Sequence, residues 1–202
     1  MPRSSKIGKS TDLNRRTAVR KRNERSSFLI LCEGETEKNY FTGMRSRNGP
    51  QLDVNTPGRD HVAIIEAAIE RSQEAKRSGS AYEQVWCVVD TELDFQLVER
   101  IQMKMIGSGV EVALSCPSFE AWLILHIMDC RRPFQSASEA KKRLQELRPK
   151  WSESATRFVD FVDGLQDAEH RAHTIDPSGR SHMTNPSSTV WRLTRKIRDA
   201  TP

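Results

Sequence analysis

The chain is predicted to be an α/β protein, with a mostly parallel central sheet flanked by helices and a helical C-terminal extension. Three observations predict this. Continuous apolar runs at Phe28–Cys32 and Val85–Val89 lack the polar alternation of a half-exposed strand, which suits strands buried on both faces of a parallel sheet. Between them lie stretches whose apolar residues recur every three or four positions. The connections are a few residues long, as in sheets built from right-handed crossovers.

Each element follows in order. The first strand, 28–32, ends at Glu33-Gly34-Glu35. Residues 36–47 carry Tyr40, Phe41 and Met44 at helical spacing, and Asn48-Gly49-Pro50 stops that helix. A weak strand at 51–54 leads to the Pro57-Gly58 turn. A helix from 61 to about 77 then places Val62, Ile65 and Ile69 on one stripe. The strand at 85–89 ends on Asp90, and a helix at 95–106 aligns Leu97, Ile101 and Met105. The strand at 110–115 is closed by Pro117, and Ser118 is placed to cap a helix over 119–128. Beyond 136 the pattern is helical. One stripe is Ala140, Leu144 and Leu147, another is Phe158, Phe161, Val162 and Leu165. Residues 166–188 read as a long polar loop, and Val190, Leu193 and Ile197 as a terminal helix. This divides the chain into a basic arm (1–25), an α/β core (26–135) and the helical extension (136–202).

Composition narrows the functional classes. The 202 residues are 29% charged and 36% hydrophobic, values of a globular protein with polar extensions. The apolar stretch Trp122–Met128 is too short to span a bilayer. The N-terminal residues are basic without an apolar core, so no signal peptide is expected. The four cysteines, Cys32, Cys87, Cys116 and Cys130, form no CxxC and no zinc-ligand spacing. A reducing, cytoplasmic setting without disulfides is expected. The charge is uneven: residues 1–25 hold nine Lys/Arg against two acids, while the rest holds 23 basic and 25 acidic residues. Such an arm, with Arg15, Arg16, Arg20, Lys21 and Arg22, suits contact with a nucleic-acid backbone, or else is a solvated tail.

The carboxylates carry the chemistry. Glu33 and Asp90 directly follow strands, and parallel strands bring their carboxyl ends to one edge, where ligands bind. Glu92 lies two residues after Asp90, on the same side of an extended chain, and Asp94 could join from the next turn. Carboxylates so close repel unless a cation sits between them, and hard oxygen donors suit Mg²⁺ or Mn²⁺. The competing reading makes each acid a solvated loop residue or a helix cap. Glu120 opens the helix after the third clear strand and could reach the same edge or simply favour the helix dipole. Glu35 and Glu37 read as groups that support the site from behind or, more simply, as solvated acids, and Lys38 as a phosphate contact or a surface lysine. Trp86, Trp122 and Trp191 read as core. His126 lies in an apolar segment, where a lone histidine is usually a satisfied core residue.

Four segments resemble the RloB-like family: Cys32-Glu33-Gly34-Glu35-Thr36-Glu37-Lys38-Asn39-Tyr40-Phe41, the strand running into Asp90, Ser115 to His126, and Asn185-Pro186-Ser187-Ser188-Thr189-Val190. They occur in order and span most of the chain. That family is similar to Toprim domains, the metal-binding fold of topoisomerases, primases and OLD-family nucleases. The resemblance implies that Glu33 is a general acid/base, that Asp90 and Glu92 stand where Toprim domains have an Asp-x-Asp metal pair, and that Asp94 substitutes or adds a second metal. It also brings His126 back as a proton carrier or orienting group. Family members are associated with restriction loci and phage defence, which implies nuclease activity.

Two functions are thus expected to compete. One is a Mg²⁺- or Mn²⁺-dependent nuclease acting on RNA, including tRNA, or on DNA, with Glu33, Asp90, Glu92, Asp94, Glu120 and His126 in the site and Lys38 and the arm on nucleic acid. The other is a non-catalytic module binding nucleic acid or a partner protein of a defence system. A homodimer is a further expectation. Strand passage is disfavoured, because the only tyrosines are Tyr40 and Tyr82 and the chain is short.

Overall fold

A computed structural model of the chain describes residues 25–58, 60–180 and 183–201. Its centre is a five-stranded sheet in the order β2-β1-β3-β4-β5. The strands are β1 (Ser27–Cys32), β2 (Gln51–Asn55), β3 (Gln84–Asp90), β4 (Glu111–Cys116) and β5 (Ser187–Ser188). The first four are parallel, and β5 pairs antiparallel with the end of β4 through Ser115↔Ser188 and Cys116↔Ser187. The helices are α1 (Glu35–Gly43), α2 (His61–Arg77), α3 (Phe95–Met105), α4 (Phe119–Ile127), α5 (Ala137–Leu147), α6 (Leu165–Ile175) and α7 (Val190–Asp199).

The alternation of the central strands sorts their side chains onto two faces. Leu29, Leu31, Val85, Cys87 and Val89 pack with Ile64 and Ile65 of α2 and Leu97 and Ile101 of α3. Phe28, Ile30, Trp86 and Val88 pack on the opposite side with Tyr40 and Phe41 of α1 and Trp122 of α4. With both faces covered, the strands read as unbroken apolar runs. Trp86 and Trp122 are fully buried, as expected, while Trp191 is half-buried. None of the four cysteines is in a disulfide, and Cys32, Cys87 and Cys116 are buried. No described helix is long and apolar enough to cross a membrane.

The C-terminal third joins this second face. Ala140, Leu144, Phe161, Leu165, Ala168, Ala172, Val190, Leu193 and Ile197 share one core with the sheet. Thr189 ties the segment to β4, its backbone N–H donating to the Leu114 carbonyl at 2.8 Å and its Oγ1 accepting from Leu114 N at 2.8 Å.

Three expectations for this region need correction. Residues 165–175 form a helix, because Leu165, Ala168 and Ala172 make an apolar stripe, too narrow and small to stand out among polar neighbours. The stripe around Phe158–Leu165 is not one helix but two three-residue turns, Phe158–Asp160 and Val162–Gly164. These deliver Gly164 against α4, where a Cβ would lie 2.2 Å from the His126 carbonyl oxygen, so only glycine fits. The strand Ser187–Ser188 was not anticipated, since two serines carry no hydrophobic signal.

Candidate metal centre

The strand order has a reversal. From β1 the chain moves outward to β2, then crosses back to β3 on the other side of β1. In open α/β sheets the crevice at such a switch point, at the carboxyl ends of the strands, is the ligand site. Glu33 and Asp90 stand there, at the ends of the adjacent strands β1 and β3. Glu33 prolongs the ladder, its N–H donating to the Val88 carbonyl at 3.2 Å. Its Oε2 accepts from the Asp90 backbone N–H at 3.2 Å and lies 2.8 Å from His61 Nδ1.

His61 is the first residue of α2, whose N-cap is Asp60, the carboxylate accepting from the Val62 and Ala63 N–H groups. The hydrogen bond to Glu33 raises the imidazole pKa above its usual value. Its Nε2 faces Glu92 Oε2 at 3.7 Å, too long for a hydrogen bond. One donor atom each from Glu33, His61 and Glu92 lie within 4.8 Å of one another.

Glu92 is presented by a strained turn. Glu92 (φ +50°) and Leu93 (φ +62°) both adopt the left-handed conformation, uncommon without glycine. The turn is held by backbone bonds from Thr91 N to Ser115 O, Glu92 N to Pro117 O and Asp94 N to Thr91 O. Thr91 is fully buried at its base.

Two more carboxylates close the other side. Glu37, one turn into α1, is 5% exposed, and its Oε2 accepts from the Gly34 N–H at 3.1 Å. Glu120, in the first turn of α4, is 8% exposed and accepts from Ser118 Oγ at 2.6 Å. Ser118 thus occupies the N-cap position without capping α4 through its side chain. Of the two readings of Glu37, the buried placement favours a group that supports the site over a solvated acid. Spaced three and four residues before Tyr40 and Phe41, Glu37 lies on the buried stripe of α1, a signal present in the sequence.

The electrostatics follow. Burial, with repulsion from Glu120 and Glu33, pushes the Glu37 carboxyl up to about 7. Burial first, then Glu37, Glu33, Glu120 and Glu92, holds Asp90 well above the ordinary carboxylate range. Asp90 Oδ1 is buried without a hydrogen-bond partner, and such a group is costly. Among the described residues, no lysine or arginine forms an ion pair with any of these five carboxylates. The helices α1, α2, α3 and α4 begin near this edge, so their positive N-terminal ends offset the charge only in part. Carboxylates in excess, an orphaned buried oxygen and one imidazole together fit a hard divalent cation such as Mg²⁺ or Mn²⁺.

The structure brings together Glu33, Asp90, Glu92 and Glu120 of the expected residues, and separates two others. Asp94 serves as N-cap of α3, accepting from the Leu97 N–H at 3.1 Å, which takes it out of the cluster. His126 is in the aromatic core. Its Nδ1 donates to the Trp122 carbonyl at 3.0 Å, its Nε2 accepts from the Tyr40 hydroxyl at 2.9 Å, and the rings of Trp122, Tyr40 and Phe161 meet it edge-on. Burial lowers its pKa to about 4, so it stays neutral. Both nitrogens are thus satisfied within the core. Lys38 pairs with Glu35 at 2.9 Å on the exposed side of α1. Asn185 brackets the backbone of Phe134 through both amide atoms. Arg15, Arg16, Arg20, Lys21 and Arg22 lie outside the described residues.

His61 was read only as the start of a helix. Its position just after β2, beside β1 in a parallel sheet, was the available signal.

Comparison with known proteins gives one family. Its model, that of RloB-like proteins, matches residues 28–197. No curated protein and no solved structure matches the chain.

Proposed function

The chain belongs to the RloB-like family, and from that premise and its carboxylate cluster we propose that it is a metal-dependent nuclease acting in anti-phage defence. The observation that carries the proposal is the buried, unpartnered Asp90 oxygen among four further carboxylates at the switch point of the sheet. Glu33, Asp90 and Glu92, backed by Glu37 and Glu120, would hold Mg²⁺ or Mn²⁺. When bound, the ion would neutralise charge on a phosphodiester and lower the pKa of a water.

The protein groups would do the rest. Glu33 has one oxygen fixed by the Asp90 N–H and His61, which orients the carboxylate to take a proton from an attacking water. The turn at Glu92 and Leu93 projects a carboxylate that is 59% exposed toward incoming substrate. Lys38 and the arm with Arg15, Arg16, Arg20, Lys21 and Arg22 would grip the backbone of RNA, tRNA included, or of DNA, without reading bases.

The test is a cleavage assay on duplex DNA, single-stranded DNA, total RNA and tRNA with Mg²⁺, Mn²⁺ or EDTA, beside Glu33→Gln. Metal-dependent cutting lost in the variant is expected, and the substrate that is cut names the class. Cutting that persists in EDTA or in folded Glu33→Gln would sink the proposal.

A further inference from the structure

Resting on that reading, we infer that His61 is a nitrogen ligand of the metal and makes the centre select Mn²⁺ over Mg²⁺. The geometry separates the two ring nitrogens. Nδ1, 2.8 Å from Glu33 Oε2, is the hydrogen-bonding nitrogen. That assigns a proton to Nδ1, so the lone pair of the neutral ring, the form a metal binds, is on Nε2. Among the described residues Nε2 has no hydrogen-bond partner and faces Glu92 Oε2 at 3.7 Å. Donors bound at about 2.1 Å to one ion lie roughly 3–4 Å apart, so this is a ligand spacing. Glu33 then acts as the carboxylate that fixes tautomer and ring orientation in a carboxylate–histidine–metal arrangement.

One further observation points to an ion beside this trio, and another explains the placing of the ring. Asp90 Oδ1 is buried and unpartnered, and Asp90 is joined to Glu33 through its backbone N–H. The ring of His61 is placed by secondary structure, since Asp60 caps α2 and holds its first turn at the strand edge. An imidazole in an otherwise oxygen set distinguishes the two ions. Both ions favour oxygen donors, but Mg²⁺ demands near-ideal octahedral geometry and gives up its water reluctantly, whereas Mn²⁺ belongs to the first-row series that N/O sites bind, so replacing one oxygen by an imidazole costs Mg²⁺ more than Mn²⁺.

The test needs no substrate. Mn²⁺ is titrated into the full-length protein and followed by electron paramagnetic resonance, with ¹⁴N electron spin-echo modulation on the bound ion. Competition by Mg²⁺ gives the selectivity, and Asp90→Asn ties binding to this centre. The expected result is one Mn²⁺ with imidazole ¹⁴N modulation, bound at least ~10-fold tighter than Mg²⁺. In His61→Asn the modulation vanishes and the preference shrinks. His61→Gln, read in parallel, guards against a folding defect in either variant. Binding sensitive to Asp90→Asn but lacking ¹⁴N modulation would overturn the role of His61 and leave the nuclease reading standing. No binding of either ion would overturn both.

Discussion

Two histidines, His61 and His126, show how differently one side chain is used in two regions of the same fold. Both make a short hydrogen bond through Nδ1, to Glu33 Oε2 and to the Trp122 carbonyl respectively. The environments then diverge. His61 stands half-buried among carboxylates, and its charged form is favoured. His126 sits among aromatic rings, its second nitrogen taken by Tyr40, and burial drives it neutral. The difference teaches that the sheet edge is built to hold charge and the aromatic surroundings of His126 to exclude it. Substitutions on the two sides are therefore expected to move different observables.

The largest effect is expected from Asp90→Asn. Cleavage should fall at least ~100-fold, the scale of losing a principal catalytic group. The metal-free protein should nevertheless melt higher at alkaline pH, where Asp90 must ionise among the other carboxylates or keep its proton at a cost, and an amide does neither. Kinetics beside calorimetry in EDTA checks both halves, and a lower melting temperature would break the contrast.

On the other side, His126→Ala should cost about 3 kcal/mol by leaving a cavity and an unpaired Tyr40 hydroxyl. Cleavage per folded molecule should be unchanged. Denaturant unfolding with active-site titration checks this, and a specific loss of activity would return His126 to the chemistry.

A smaller effect concerns pH. Glu37 and Asp90 have folded pKa values above those of the unfolded chain, so the folded state holds protons that the unfolded state has released. Stability of the metal-free protein should fall as pH rises from the ordinary carboxylate range through about 7. The raised pKa of His61 has the same sign, its contribution being full below about 6.5 and lost above. Saturating Mn²⁺, which binds the deprotonated ligands, should flatten or reverse that slope. Melting curves from pH 5 to 8 with and without the ion sharpen the comparison.

The smallest effect is expected from Lys38→Ala. Its pair with Glu35 is exposed, so stability should change by less than ~0.5 kcal/mol. Any large change in nucleic-acid affinity, read by salt titration, would then belong to phosphate contact.

Much of the architecture was legible in the sequence for a physical reason. A strand buried on both faces cannot hide its composition, so β1 and β3 declared themselves, and Glu33 and Asp90 came with them. The short α6 is obscured because its stripe is mostly alanine, and β5 because a pair of serines, joined to β4 by backbone bonds and by the Ser115–Ser188 hydroxyl pair, carries no hydrophobic signal. At the site, Glu92 and Glu120 were found from their positions beside strand ends. Glu37 stays ambiguous in the sequence because its charge argues for solvent and its place on an apolar stripe for burial, and His61 is not singled out because its role depends on β2 lying beside β1. That adjacency is a property of strand order, invisible to local pattern. For Asp94 and His126 the plainer of the two readings holds, a helix cap and a core histidine, and only the roles implied by the family resemblance find no support in their positions.

The tie between Thr189 and Leu114 also sets a timetable for synthesis. Strand β4 and the residues that cover it are separated by all of α4, α5 and α6. At roughly 5–20 residues per second, the ribosome takes about 4–16 s to travel from β4 to α7. During that interval the face has α1 and α4 upon it but lacks the cover that Val190, Leu193 and Ile197 supply. The nascent chain therefore carries its acidic residues long before it has a finished domain to hold them, and a truncated product would be left with that cover missing.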